Sequence, residues 1–234
     1  MEPKDNICSA GKWQFNQEVA DCFGDMLERS VPDYRSMRSL VFEVGRKFVR
    51  PDTAIVDTGC STGLAVQPFV EAFGAANRFW LIDNAPAMTE ACRKRYDVQA
   101  NYVFVQRCNL WSFLPLPDRA SLVLAVLSLQ FMPTSYRQQI MRDIYQSLNP
   151  GGAFIWVEKV CGGSLDELMT GLFYDMKRRN GYTDKQIMGK RKSLENVLSP
   201  LKAEWNVDML QAAGFRRIEM FWRCLNFCGC VAVK

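Results

Sequence analysis

Histidine is absent from the 234 residues. Every catalytic triad, acid–base pair or zinc site built on imidazole is thereby excluded, and proton transfer falls to carboxylates, Lys, Tyr, Cys or the substrate. The nine cysteines are odd in number and contain no C-x-x-C pair, so neither a disulfide framework nor a zinc ribbon is indicated. Cys224, Cys228 and Cys230 lack finger spacing; period-2 alternation puts all three on one face of a strand as small buried hydrophobes. No metal is expected. Runs of 18 apolar residues are missing, as is an apolar core in the opening MEPKDNICSAGKW. The expectation is a soluble, cytoplasmic chain with free thiols and no membrane partner. Charge of one sign is also scarce: 29 basic residues face 25 acidic ones, a net +4. No long basic stripe with interleaved aromatics is present, so direct nucleic-acid binding is not required.

What is present is a 48% hydrophobic chain of a length that suits one α/β domain. Residues 1–12 read as a loose tail. Phe15, Val19, Cys22, Phe23 and Met26 recur at helical spacing over 13–29, and Met37, Leu40, Val41, Val44 and Phe48 do so over 35–49. Strands are predicted at 54–56, 78–82, 102–105, 121–128 and 153–157. Helices are predicted at 63–73, 86–95 and 134–148, the last stopped by Asn149-Pro150-Gly151-Gly152. This alternation argues for a doubly wound parallel sheet. Residues 164–180 and 183–198 are helix-like and too long for a plain crossover, so they are taken as a lid, with Met188 in its core and Tyr182 and Trp205 packing it. A helix near 205–212 and strands at 217–223 and 227–233 end the chain as an antiparallel hairpin. The layout is a single domain over 1–234: N-terminal helices at 1–50, a cofactor-binding core at 51–160, a helical lid at 161–205 and a terminal hairpin at 206–234.

Two features carry the chemistry. The segment Asp57-Thr58-Gly59-Cys60-Ser61-Thr62-Gly63 follows an apolar strand and precedes a helix, and its glycines allow backbone to lie against a ligand. No Gly-Lys-Ser/Thr follows, so it is not a phosphate loop, and it is not G-x-G-x-x-G. The second strand then ends in Asp83-Asn84, 24 residues after Gly59, where a carboxylate can accept two ribose hydroxyls or cap the next helix. The D-x-G-x-S-x-G turn resembles the first motif of S-adenosylmethionine-dependent transferases, with Ser61 at a position often held by glycine. In that resemblance Asp57 binds the ligand ammonium directly or through water, and Cys108 or Asn109, after the third strand, contacts adenine.

A more specific resemblance extends over residues 13 to 234. It is carried by Phe23-x-Asp25-Met26, Arg29-Ser30-Val31-Pro32-x-Tyr34, Asp57-x-Gly59-Cys60-Ser61, Ile82-Asp83-Asn84-x-Pro86-Ala87-Met88 and Leu129-Gln130-Phe131. It continues in Leu148-Asn149-Pro150-Gly151-Gly152, Lys177-Arg178-x-Asn180-Gly181-Tyr182, Lys190-Arg191-x-x-Leu194-Glu195-Asn196-Val197 and Asn226-Phe227. The sequence is similar to the carboxy-S-adenosyl-L-methionine synthase family, within the class I methyltransferase superfamily. The resemblance implies a Rossmann-like fold with a seven-stranded, mostly parallel sheet, an antiparallel terminal hairpin and a helical lid. It implies a homodimer that converts S-adenosylmethionine and prephenate to carboxy-S-adenosylmethionine and phenylpyruvate, for modification of the tRNA wobble uridine. Tyr34, Gly59, Cys60, Ser61, Asp83 and Asn84 would surround the nucleoside and methionine parts, and Arg191 would hold the added carboxylate. Two positions depart from the family: its third-strand acidic residue falls on Cys108 or Asn109, and a ligand-contacting Asn falls on Val126.

In the implied mechanism the leaving part of prephenate removes a proton from the sulfonium methyl, and the ylide captures carbon dioxide. The substrate supplies the base, which is compatible with a chain lacking histidine. A methyltransferase gains little from a cation beside a sulfonium, whereas a carboxylate in the pocket calls for a guanidinium fork. An ordinary methyltransferase of unknown acceptor, and a non-catalytic nucleoside-binding protein, are the competing readings. Taken without the resemblance, Lys185, Lys190, Arg191 and Lys192 form only a solvated charge run, and Lys177, Arg178 and Arg179 likewise receive no role.

Overall fold

A computed structural model describes residues 4–7, 11–112 and 116–234. Three helices come first: α1 (Gln17–Asp21), α2 (Phe23–Ser30) and α3 (Tyr34–Gly45). Strands and helices then alternate through β1 (Ala54–Thr58), α4 (Gln67–Phe73), β2 (Arg78–Asp83), α5 (Pro86–Arg95) and β3 (Val103–Arg107). Next come β4 (Ala120–Val126), a 3-10 turn at Leu129–Phe131, α6 (Thr134–Ser147) and β5 (Leu148–Lys159). Two helices, α7 (Asp166–Arg179) and α8 (Asp184–Ser193), interrupt the rhythm before α9 (Ala203–Ala213), β6 (Arg217–Cys224) and β7 (Phe227–Val233).

Among the described residues seven strands form one sheet in the order β3-β2-β1-β4-β5-β7-β6. The first five run parallel; β7 lies antiparallel to β5, and β6 antiparallel to β7. This is the mostly parallel sheet with a terminal hairpin that the alternation predicts. The central strands are covered on both faces, which is why β1 and β4 are buried continuously and are mostly apolar rather than alternating. Met37 and Val41 of α3 and Phe69 of α4 cover one face. Ile140, Met141 and Ile144 of α6 and Leu210 of α9 cover the other. Each such fully buried side chain stabilises the fold by about 1.5–3 kcal/mol. Strand order reverses between β1 and β4, so the connections leave in opposite directions and open a crevice at the strands' carboxyl ends.

Several expected elements differ in detail. The helix predicted over 13–29 is two helices, because the Asn16 side chain accepts the Val19 N–H at 3.1 Å and caps a start four residues later, and Cys22 leaves the helical conformation between them. The helix expected from residue 63 starts at Gln67, with Pro68 in its first turn. β5 begins at Leu148, which pairs with Ala120 before the register slips to Leu122–Ala153. The three late cysteines do not share a face. Cys224 ends β6 and packs with Phe173 and Phe227, whereas Cys228 and Cys230 on β7 are buried against the opposite layer, because the turn at Leu225–Asn226 breaks the alternation. Met188 is 51% exposed rather than core.

The supposed loose tail contains a fixed point. Asp5 is fully buried, and its carboxylate accepts hydrogen bonds from the Tyr182 hydroxyl and the Lys190 ammonium. Its N–H donates to Asp25 at 2.7 Å, and Arg29 donates to its carbonyl at 3.0 Å. A buried lysine needs a counter-charge, and residue 5 supplies it from the far end of the chain.

Candidate functional site

The glycine turn caps β1 under tight steric control. The N–H groups of Gly59 and Cys60 both donate to the Ile82 carbonyl, at 2.7 and 2.9 Å, tying the turn to β2. Gly59 has φ +88°, and a Cβ there would lie 2.2 Å from the Ser128 Cβ. Gly63 has φ +81°, and a Cβ would meet the Tyr96 ring at 2.6 Å, while the Tyr96 hydroxyl donates to its carbonyl at 2.7 Å. Both positions therefore require glycine for conformation and for space. Ser61 has φ +48°, a left-handed conformation natural to the glycine often found there, and its N–H donates to Asp83 at 2.9 Å.

Beyond the turn lies a cavity of about 600 Å³. It brings together Tyr34, Gly59, Cys60, Ser61, Asp83, Asn84 and Arg191 from the expected set. Asp83 also accepts the Ala85 N–H at 2.9 Å, so this carboxylate steadies the start of α5 while lining the cavity. Burial raises its pKa against the lowering effect of these N–H groups. Val126, where the family has a ligand-contacting Asn, lines the wall with an apolar side chain.

Three expected residues lie off the cavity. Asp57 is fully buried, and neither carboxylate oxygen has a hydrogen-bond partner among the described residues. Burial, reinforced by Asp83, raises it to about 7. Cys108 and Asn109 do not reach the lining. The Cys108 N–H continues the β-ladder to the Asp83 carbonyl at 3.0 Å, and the Asn109 carbonyl is taken by Ser112 in a turn. That bend presents Leu110 and Trp111 to the cavity instead.

The helical pair α7–α8 closes one side. Its charge run divides by environment: Lys190 is buried on Asp5, Arg191 is exposed yet lines the cavity, and Lys185 and Lys192 face solvent. The family-specific motifs hold this pair in place. Arg29 Nε donates to the Asn180 carbonyl at 2.8 Å, Asn180 Nδ2 donates to the Arg29 carbonyl at 3.1 Å, and the Arg29 guanidinium lies 4.1 Å over the Tyr182 ring. Tyr182 is buried as expected of lid packing, whereas Trp205 is 54% exposed. Two lining cations were missed. Lys159 ends β5, and Lys177 of α7 is only 6% exposed. The sequence holds one signal for Lys177, the aromatic Phe173 four residues earlier on the same helix face.

The opposite wall rests on a buried ion pair. Arg137 of α6 donates to the carbonyls of Gln130 (3.2 Å), Met132 (2.9 Å) and Ser199 (2.7 Å). It thereby joins the turn after β4 to the segment after α8, and its guanidinium lies 3.9 Å from Glu158. Gln130 Oε1 in turn accepts the Lys159 N–H at 2.7 Å. Burial raises the Glu158 carboxyl to about 8 against the pull of Arg137.

Comparison with known proteins agrees with this geometry. A family described as Methyltransferase domain matches residues 55–152, the segment from β1 into β5. The carboxy-S-adenosyl-L-methionine synthase of Methylococcus capsulatus is 40% identical over 225 residues, covering 94% of this chain and 93% of the relative. That of Klebsiella pneumoniae is 37% identical, covering 97% and 94%. Solved structures share the fold at much lower identity. An O-methyltransferase family protein from Burkholderia thailandensis has a TM-score of 0.67 at 15% identity, covering 94% of this chain and 60% of that one. Human N-acetylserotonin methyltransferase, solved with its S-adenosylmethionine, gives 0.61 at 15% identity, covering 93% and 56%. The chain belongs to the carboxy-S-adenosyl-L-methionine synthase family, built on the Rossmann-like methyltransferase fold.

Proposed function

We propose that this enzyme carboxylates S-adenosylmethionine, with prephenate as the carboxyl source and phenylpyruvate as the second product. The observation that carries this is Arg191: a guanidinium from α8 reaches the cavity that Gly59, Ser61 and Asp83 share. The glycine turn leaves room for the methionine part, Asp83 and Asn84 offer acceptors for a ribose, and Tyr34, Leu110 and Trp111 supply aromatic and apolar wall for the base. Asp57 acts from beneath as a buried group raised toward neutrality, through an intervening contact rather than direct reach. Cys108 and Asn109 would shape the adenine pocket through the turn that carries Leu110 and Trp111.

The chemistry balances without a protein base. Loss of carbon dioxide and hydroxide makes the prephenate ring aromatic, the hydroxide takes a methyl proton to form water, and the methyl carbon bonds to the carbon dioxide. The chain's work is to hold the reactants together, exclude water and neutralise the new carboxylate, which Arg191 does with two parallel N–H donors. The helical pair acts as a lid. The product then serves as the carboxymethyl donor for tRNA wobble-uridine modification in the cytoplasm. The enzyme works as a homodimer, a reading supported by Leu165, just before α7, and Leu168 and Leu172 on it, which are 59%, 51% and 40% exposed. No described helix is long and apolar enough to cross a membrane.

Incubation of the purified protein with S-adenosylmethionine and prephenate is expected to yield a species heavier than the first by one carbon dioxide, with phenylpyruvate in equal amount. Mass spectrometry reads both. Formation of S-adenosylhomocysteine with a methylated acceptor, and no carboxylated product, would make the chain an ordinary methyltransferase.

A further inference from the structure

We propose that Lys159 and Lys177 form a second anion subsite, which takes the carboxylate of the substrate that stays with the aromatic product. This rests on the synthase reading above and adds to it the site of the second reactant. Prephenate carries two carboxylates, one transferred and one retained in the pyruvyl arm. A single guanidinium cannot fork onto both once they separate, so a dianionic substrate needs a second set of donors.

The structure holds one ready. The Lys159 and Lys177 ammoniums both approach the Phe173 ring, at 4.6 and 5.5 Å from its centre, and Lys177 also lies 5.0 Å from the Tyr182 ring. Among the described residues neither ammonium has an ion pair or a hydrogen bond. The contrast with Lys190 is informative: that lysine, also buried, is satisfied by Asp5 and Tyr182. Around Lys177 the neighbouring charges are Lys190, Lys159 and Arg29 against Asp5, whose carboxylate Lys190 and Tyr182 already occupy. Around Lys159 they are Asp166 and Arg191. Asp166 and Glu195 are the remaining lining acids apart from Asp83, which the glycine turn holds.

The half-buried Lys159 and the buried Lys177 share the Phe173 ring, and among the described residues neither forms an ion pair, so an entering carboxylate would supply the counter-charge. Burial already lowers Lys177 to about 7, and an anion beside it would restore its charge. Phe173, Phe131, Phe15 and Phe227 line the same cavity and suit a six-membered ring attached to that carboxylate. Lysine rather than arginine fits the task. A point charge without a fixed fork releases a monocarboxylate product more readily than a bidentate clamp would.

Lys177→Met and Lys159→Met are compared with wild type, with Lys177→Arg as the conservative control. Prephenate turnover gives KM and kcat. Calorimetry gives affinity for S-adenosylmethionine, and for phenylpyruvate on protein loaded with S-adenosylhomocysteine. Each Met variant is expected to raise the prephenate KM and weaken phenylpyruvate binding by about tenfold or more, with S-adenosylmethionine affinity unchanged within about twofold. Lys177→Arg recovers part of the loss. Lys177→Met is expected to melt no lower than wild type, because a buried ammonium without an ion pair among the described residues is removed. Unchanged KM and unchanged phenylpyruvate affinity in folded Met variants reject the subsite while leaving the synthase reading intact. A parallel loss of S-adenosylmethionine affinity rejects it too. If wild type makes no carboxylated product yet phenylpyruvate binding still falls in the variants, the subsite stands and the synthase reading fails. If wild type does not bind phenylpyruvate, the subsite is rejected.

Discussion

Replacing Arg191 by alanine is expected to abolish carboxylation while S-adenosylmethionine still binds. Its guanidinium is the cavity-lining group assigned to the new carboxylate, and it lies on α8, away from the glycine turn and Asp83. Two charge-assisted hydrogen bonds are lost together, so kcat/KM for carboxylated product should drop by about 10²–10³-fold. Affinity for carboxylated product should fall by a similar factor, while affinity for S-adenosylmethionine, which lacks the carboxylate, stays within about twofold. Arg191→Lys retains charge without the planar fork and should recover only part of the activity. The measurement is product formation by mass spectrometry beside calorimetric titration of both ligands. An Arg191→Ala protein that turns over at the wild-type rate would remove the reason for placing a carboxylate in this cavity.

Arg137→Met is expected to cause the largest loss of stability. The guanidinium is wholly buried, holds three carbonyls from two segments, and is the partner of a wholly buried glutamate. Removing one member of such a pair costs about 3–5 kcal/mol, because the other is left in a low-dielectric site. For a chain of this length that corresponds to a fall in Tm of about 6–20 °C. The defect has a defined pH dependence. Glu158 in the folded protein titrates near 8, above its unfolded value, so the folded state binds the extra proton and stability declines as pH rises through that interval. Without Arg137 the folded value climbs further, and the decline continues past pH 8, where in wild type it ends. Chemical denaturation at pH 6 and pH 9 should show the larger difference from wild type at pH 9. Adding Glu158→Leu to Arg137→Met should return part of the loss, since an apolar pair leaves no unpaired charge. Because Arg137 anchors the Gln130 turn and the Ser199 segment together, ligand affinity should weaken alongside. A variant as stable as wild type at both pH values would show that the pair contributes nothing.

Legibility in the sequence followed the range of the interactions involved. The strand-to-helix turn at 57–63 and the carboxylate at 83 were readable because each is a local device: residue type and spacing set the tight turn and the start of the helix. Helix α5 was bounded correctly at both ends by Pro86 and the basic run that closes it. The 13–29 segment was misread because periodicity alone does not register that Asn16 caps better than Trp13 begins. Cys224 was placed on the wrong face because alternation was carried across a hairpin turn. Arg191 stood out only through its motif, while Lys177, three residues from Asn180 in a run of basic residues, looked like solvated surface.

By itself the sequence determined the order of elements, the glycine turn, the absence of imidazole chemistry and the family motifs, since each is written in neighbouring residues. The tertiary structure alone decided which charges are spent on structure and which face the cavity. Asp5 reaches Lys190 across 185 positions of chain, leaving the Lys177 ammonium beside it without an ion pair among the described residues. Pairing of buried charges is a matter of three-dimensional proximity and desolvation, and neither quantity is encoded in spacing along the chain.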